Sequence, residues 1–430
     1  MKCGLYESDI TPSLGSEIPG QFYVRKSDGI HDRLYTHAMY LCNDSGEKVV
    51  IVSSDAIIIP DEMAEQVRID IAEKLSIKKE CIMLVATHSH TAGPVETWDE
   101  FVHHDPAYIE FFKSRIMDTV IMAEKCKRDV KIGYGIGYED KIAYYRNYVL
   151  ADGTYRTNPG MGGDKKPFGS IDPEVGVLRI DNIDGTPYGA LINYTCHCDC
   201  VGGTWYSADY PGAMKETLKK VFGSAFIPVF INGFCGNINH CDFENGFHQY
   251  PEHYRRMGKM LAAEVIRTRE TAEAWDDVTL DGAHQYYTLP TREPSNELLI
   301  WADHVLENVD SSVIDVFYAK EAKRYEKTGV RQVPVIVQTI RIGELGVFGM
   351  PGEIYVEFAK LLKKKSPGKY SMSANLANGC VGYIPIKELF QPGIYESRLC
   401  ITSQLTPDAG YDMSEKLLNL YEKLWLKNNV

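Results

Sequence analysis

Ile82-Met83-Leu84-Val85-Ala86-Thr87-His88-Ser89-His90-Thr91-Ala92-Gly93-Pro94 decides how this chain reads. Five consecutive apolar residues predict a buried strand, and the Gly-Pro pair behind the histidines ends it in a loop. Strand ends that meet such loops present side chains to a cleft, and imidazoles two residues apart point the same way there. That pattern suits a metal site or acid–base chemistry; a pair of satisfied loop histidines is the plain alternative.

Upstream, Val49-Val50-Ile51-Val52 is a second buried strand. After Asp55 and Pro60, Met63, Val67 and Ile71 recur every four residues, so the spacing predicts a helix over Asp61–Leu75. Downstream, the pattern predicts a helix from Pro106 to Cys126 and strands at Lys131–Gly137, Val175–Ile180 and Ala190–Cys200. Further helices are expected from Pro211 onward and at Glu252–Arg269, Ser311–Lys327, Ile354–Lys364 and Ser414–Trp425. Val335–Ile342 and Leu345–Val347 read as a strand pair. This interleaving predicts a mixed α/β fold with central β-sheets flanked by helices. With no Pro/Gly/Ser linker and no fixed-period repeat, residues 1–430 are expected to form one catalytic domain.

Of 430 residues, 44% are hydrophobic and 24% charged, which excludes collagenous, coiled-coil and disordered chains. A net charge of -13, without a Lys/Arg run longer than Lys363–Lys365, argues against nucleic acid as a partner. The loop Asp152–Gly163 is rich in glycine, yet it has neither G-x-G-x-x-G nor G-x-x-x-x-G-K-[ST], so nucleotide binding has no motif behind it. No apolar run is long enough for a membrane anchor and no leader opens the sequence. Together with 11 scattered cysteines, these features predict a cytoplasmic protein with reduced thiols.

Three more stretches carry chemistry. In Asn193-Tyr194-Thr195-Cys196-His197-Cys198-Asp199-Cys200, a continued strand would put Cys196, Cys198 and Cys200 on one face and His197 with Asp199 on the other. The thiols lack the paired two-residue spacing of structural zinc sites, which leaves His197 as the better ligand. Val347-Phe348-Gly349-Met350-Pro351-Gly352-Glu353 places a carboxylate where a strand turns into a helix; it either answers the helix dipole or offers oxygen to a metal. Asn378-Gly379-Cys380-Val381-Gly382-Tyr383, followed by Tyr395-Glu396, is another glycine-rich strand end.

In order and form these motifs resemble the catalytic domain of the neutral/alkaline, non-lysosomal ceramidases, zinc-dependent amidases that cleave the N-acyl bond of ceramide. Thr87–Pro94 is similar to the family's T-H-T-H-S-G-P signature. Tyr6-Glu7-Ser8-Asp9-Ile10-Thr11-Pro12 and Gly29-Ile30-His31-Asp32-Arg33-Leu34-Tyr35 resemble its opening blocks, and the likeness runs to about Tyr395. The resemblance implies Zn2+ held by His88, His197, Glu353 and Tyr383, with His90, Tyr395 and Arg146 as catalytic groups around a small-molecule substrate. A zinc-activated water would then attack the carbonyl while those three stabilise the oxyanion or protonate the leaving group.

The chain departs from the family where G-D-V-S-P becomes Gly236-Asn237-Ile238-Asn239-His240, so a serine-dependent step is not expected. Tyr145-Arg146-Asn147 and the loop after it also differ, which implies a changed pocket. The C-terminal β-sandwich domain of the ceramidases has no counterpart within the 430 residues, and the expected substrate is a small soluble N-acyl compound. The alternatives are metal-dependent hydrolysis of another bond in a polar substrate such as a carbohydrate derivative, or a non-catalytic metal-binding protein.

Overall fold

A computed structural model describes residues 1–98, 101–276 and 278–426. The apolar runs assemble into a nine-stranded mixed sheet. Its spatial order is Ile227–Asn232, Pro187–Tyr194, Glu174–Asn182, Arg128–Tyr138, Lys2–Asp9, Tyr35–Cys42, Lys48–Ser54 and Ile82–Ala86, and Glu273–Trp275 pairs with Arg128–Tyr138. The outermost pair at each end of this order is parallel, and the other neighbours are antiparallel. A second, four-stranded sheet runs Leu280–Pro290, Gln332–Ile342, Leu345–Gly349 and Tyr370–Ala374. Ile340, Ile342, Leu345, Val347 and Met372 of this sheet share one buried core with Met39, Val50, Val52, Met83 and Leu84 of the large one.

Helices cover the outer faces. α1 (Asp61–Leu75) buries Met63, Ala64, Val67 and Ile71, the stripe its four-residue spacing predicts. α2 (Pro106–Lys125) starts where the Asp105 carboxylate accepts from the amides of Ala107 and Tyr108, and it packs on Lys2–Asp9 and Tyr35–Cys42. α3 (Asp209–Phe222) packs on α4 (His253–Glu270), which lies over Arg128–Tyr138 and Glu174–Asn182. α5 (Asn296–Glu307) and α6 (Val313–Thr328) form a helical hairpin, each capped by the serine before it. α7 (Val356–Lys365) packs on α8 (Ala409–Leu426), which covers Leu280–Pro290 and Gln332–Ile342.

Two expectations need correction. The strand predicted at Ala190–Cys200 stops at Tyr194. Its neighbour stops at Asn232, and the Asn232 side chain takes both the amide and the carbonyl of Cys196, so the chain leaves the ladder there. Cys196, Cys198 and Cys200 therefore do not form one face of a strand. Glu353 does not open a helix either: α7 begins at Val356, and Glu353–Ile354 is a short strand paired in parallel with Tyr383–Ile384.

Candidate metal and active site

Three strand ends converge. His88 follows Ile82–Ala86, His197 follows Pro187–Tyr194, and Glu353 follows Leu345–Gly349. Asn232, itself at a strand end and fully buried, donates to the carbonyls of Thr87 at 3.0 Å and Cys196 at 2.9 Å, the residues directly before the two histidines. Asn375 extends the brace: its amide donates to Asn232 O, and its Oδ1 accepts from Ile354 N.

Each histidine is oriented from behind by a backbone carbonyl. His88 Nδ1 donates to Ile57 O at 2.9 Å, His197 Nδ1 to Cys235 O at 2.8 Å, and His90 Nδ1 to Gly20 O at 3.0 Å. A carbonyl can only accept, so these contacts fix the tautomer and leave all three Nε2 atoms with lone pairs facing one another. His88 Nε2 lies 3.2 Å from both His90 Nε2 and His197 Nε2. Glu353 Oε2 lies 3.1 Å from His88 Nε2 and 3.2 Å from His197 Nε2, in an orientation that makes no hydrogen bond.

These distances decide what the group can do. His88 Nε2, His197 Nε2 and Glu353 Oε2 form a nearly equilateral triangle, which is the face of a tetrahedron whose centre is about 2 Å from each corner, the bond length of a transition-metal ion to nitrogen or oxygen. Convergent lone pairs and a carboxylate repel one another unless a cation sits among them. The group formed by the buried His88 and His197 with the half-buried His90 can hold a metal ion.

The same groups are strongly coupled electrostatically. Burial alone would raise the Glu353 pKa, but His88 and His197 bring it well below the ordinary carboxylate range. Burial, reinforced by Arg146 and His88, depresses His197 to about 3; burial and His88 do the same to His90. His88 goes the other way: burial would lower it, but the Glu353 charge raises it. His88 also adopts the left-handed backbone region at φ +70°, uncommon for a side chain of its size.

A cavity of about 150 Å³ opens on this cluster, lined by His88, His90 and Glu353 together with Glu96, Tyr383 and Tyr395. Two residues read as acting around the site fall in different places. Tyr395 faces the cavity. Arg146 does not: its Nε donates to the buried Glu396 carboxylate at 2.6 Å, one Nη donates to Gly236 O at 2.6 Å, and its guanidinium carbon lies 5.5 Å from the Tyr383 ring centre. It stands behind Tyr383 as an already paired cation. His90, the third of the expected catalytic groups, stands beside the cluster, its Nε2 3.2 Å from His88 Nε2, and also lines the cavity.

The motif reading missed several residues. Glu96 follows the T-H-S-H-T-A-G-P run by two positions, and a carboxylate so close to a Gly-Pro loop was the available signal. Burial, then Glu353, raise its pKa to about 7. Gly20, Asn232 and Asn375 act only through the fold and carry no local signature. The cysteines stay outside the cluster: among the described residues, no thiol joins the metal-competent group. Burial holds the thiols of Cys196 and Cys198 well above their usual pKa.

A mixed α/β sandwich with a buried histidine cluster at converging strand ends is the class this fold and site define. No family model matches the sequence. The chain is 25% identical over 202 residues to neutral ceramidase A of Dictyostelium discoideum, a stretch covering 45% of this chain and 27% of that protein. It is 24% identical over 191 residues to neutral ceramidase B of the same organism. The matched stretches thus span about a quarter of the length of these relatives. The fold matches the crystal structure of neutral ceramidase from Pseudomonas aeruginosa at a TM-score of 0.78 and 18% identity, over 98% of this chain and 74% of that one. A ceramidase complexed with C2 matches at 0.76 and 16% identity, over 99% of this chain and 75% of that one. The resemblance to the neutral ceramidase family therefore holds: the chain has the neutral ceramidase fold and shares partial sequence likeness with two neutral ceramidases.

Proposed function

We propose that this protein is a zinc-dependent hydrolase that cleaves an amide, an N-acyl bond, in a small soluble substrate. His88, His197, Glu353 and Tyr383 would hold the zinc. The observation that carries the reading is the near-equilateral triangle of His88 Nε2, His197 Nε2 and Glu353 Oε2, each imidazole locked from behind and the open side facing a cavity. Zinc bound there supplies Lewis acidity to a carbonyl oxygen and lowers the pKa of water.

The side chains supply the rest. His90 lines the cavity with Nδ1 committed to Gly20 O, which leaves the Nε2 lone pair, 3.2 Å from His88 Nε2, at the edge of the cluster to accept a proton. The Tyr395 hydroxyl stays protonated far above neutral pH, raised first by burial, and is suited to donate to a developing oxyanion. Glu96, half-buried and with a pKa near 7, is placed to move a proton between water and the leaving amine. Arg146 keeps Tyr383 in place and is a positioning residue. Asn239 occupies the position of the family's serine, so water is the nucleophile. A cytoplasmic address, where the eleven cysteines would stay reduced, belongs to the same proposal. Among the described residues, no helix is long and apolar enough to cross a membrane.

The test is metal analysis of the purified protein alongside a screen of N-acyl compounds and chromogenic glycosides. His88→Ala and Glu353→Ala should abolish both metal content and turnover while leaving the fold largely intact. Full activity in metal-free wild type would sink the proposal. A polar carbohydrate derivative is the second reading, favoured by the aromatic rings Trp301, Tyr318 and Phe390 in an adjoining cavity; turnover of glycosides alone would replace the amidase assignment with it.

A further inference from the structure

A second and larger cavity, about 690 Å³, adjoins the histidine cluster, and Tyr395 belongs to the walls of both. That volume suits a ligand of metabolite size. Its wall is not that of an alkyl tunnel. Two guanidinium groups, Arg292 and Arg398, stand among the rings of Trp301, Tyr318, Phe390 and Tyr395, and among the described residues the exposed Glu293 is the one carboxylate in the lining.

The two arginines are held differently. Arg292 donates through Nη1 to Ser397 O at 2.9 Å and through Nη2 to the carbonyl and hydroxyl of Ser403, all uncharged acceptors, with its guanidinium 4.9 Å from the Phe390 ring centre. Burial lowers its pKa to about 10, the direction expected of a cation without a carboxylate to offset desolvation. Arg398 lies 3.6 Å over the Tyr318 ring centre and 5.7 Å from that of Trp301. Its ion pair with Asp315, at 3.2 Å between two half-exposed side chains, is of the weak kind that a ligand anion can displace. Preset guanidinium groups beside flat rings match a carboxylate carried next to an aromatic or apolar body.

We propose that this cavity is the subsite for an anionic end of the substrate, which makes the cleaved compound an N-acyl derivative bearing a carboxylate. Arg398 is the specificity-determining cation and the rings are its platform. This deepens the hydrolase reading and rests on it for the identity of the bond; the subsite itself is testable by binding alone.

Calorimetry on the full chain with benzoate and its neutral isostere benzamide provides the first test. Benzoate should bind about tenfold more tightly or better, the discrimination expected of a charge-assisted contact. Chelated protein should give the same ratio, and Arg398→Gln should bring it toward one. Equal affinity for the two probes, a ratio that survives Arg398→Gln, or a ratio lost on chelation would overturn the subsite. If Arg398→Gln does not fold, Asp315→Asn decides: freeing Arg398 should tighten benzoate several-fold, and unchanged or weaker binding overturns the proposal. The second test compares turnover of N-acetylphenylalanine with that of its carboxamide; the carboxylate should win through KM. Selective benzoate binding with neither amide hydrolysed would defeat the hydrolase reading and leave the subsite standing. Unselective binding with both amides hydrolysed alike would do the reverse.

Discussion

Replacing Asn232 by alanine removes two hydrogen bonds donated to the carbonyls of Thr87 and Cys196 and one accepted from the Cys196 amide. At about 1 kcal/mol per bond, with a further penalty of about 1 kcal/mol for the Thr87 carbonyl left buried and unpaired, the loss comes to about 4 kcal/mol; the Cys196 carbonyl keeps the Tyr210 hydroxyl as a donor. The consequence that matters is local. Thr87 and Cys196 immediately precede His88 and His197, so their release lets both imidazoles drift from the proposed metal centre. Disturbing supports of this kind weakens metal binding by about 10- to 100-fold. Asn193 is the internal control: it is buried nearby and donates to Ile231 O and Ser373 O at 2.9 Å each, but touches neither residue that leads into a histidine. Denaturant unfolding should show both alanine variants destabilised to a similar degree. Zinc affinity, measured against a competing chelator, should fall only for Asn232→Ala. Equal zinc affinity in the two variants would refute the argument and reduce Asn232 to an ordinary core amide.

Other substitutions probe separate contacts. Gly20→Ala would place a Cβ 2.7 Å from His90 Nδ1 at a backbone φ of +95°, so kcat/KM should fall by about 100-fold or more while metal content is retained; loss of metal would move His90 into the ligand set. Arg146→Gln leaves Glu396 buried without its cation and should cost about 3–5 kcal/mol, part of which Arg146→Gln/Glu396→Gln recovers in a double-mutant cycle. Burial would raise the Glu7 pKa, but His37 and Lys219 bring it from 4.5 down to about 2. A carboxylate with a depressed folded-state pKa contributes stability above its unfolded value and loses it as pH falls through the folded one. Glu7→Gln should therefore destabilise the protein at neutral pH, chiefly through the lost Lys219 pair because burial keeps His37 uncharged there, and the difference from wild type in urea melts should shrink between pH 4.5 and 2.

How much of this was legible in the sequence depends on how local the determining physics is. Asp61–Leu75 and Ile82–Ala86 form where the apolar spacing places them, because one periodic face and one uninterrupted run leave no competing structure. His88, His197 and Glu353 were visible as polar residues just past apolar strands, and Tyr383 through its motif. The strand Leu280–Pro290 escaped the reading because several of its residues, among them Gln285 and Tyr286, face solvent and blur the alternation. α5 escaped because its start is set by Ser295 capping after Pro294 and its packing comes from α6. The break at Tyr194 depends on Asn232, thirty-eight residues along the chain, and Gly20 matters only because its carbonyl meets His90. Contacts that distant leave no periodic trace.

The left-handed backbone at His88 has a consequence for descent. The fold holds a bulky residue in a conformation that glycine or asparagine would occupy at lower energy, by about 1–2 kcal/mol. If the proposed metal site is real, the side chain's chemistry is what keeps histidine there. In a lineage that has abandoned the reaction, drift at this position runs toward glycine or asparagine and raises stability as it goes. A histidine retained here among distant homologues therefore marks a working centre, and its loss to a small residue dates the retirement of one.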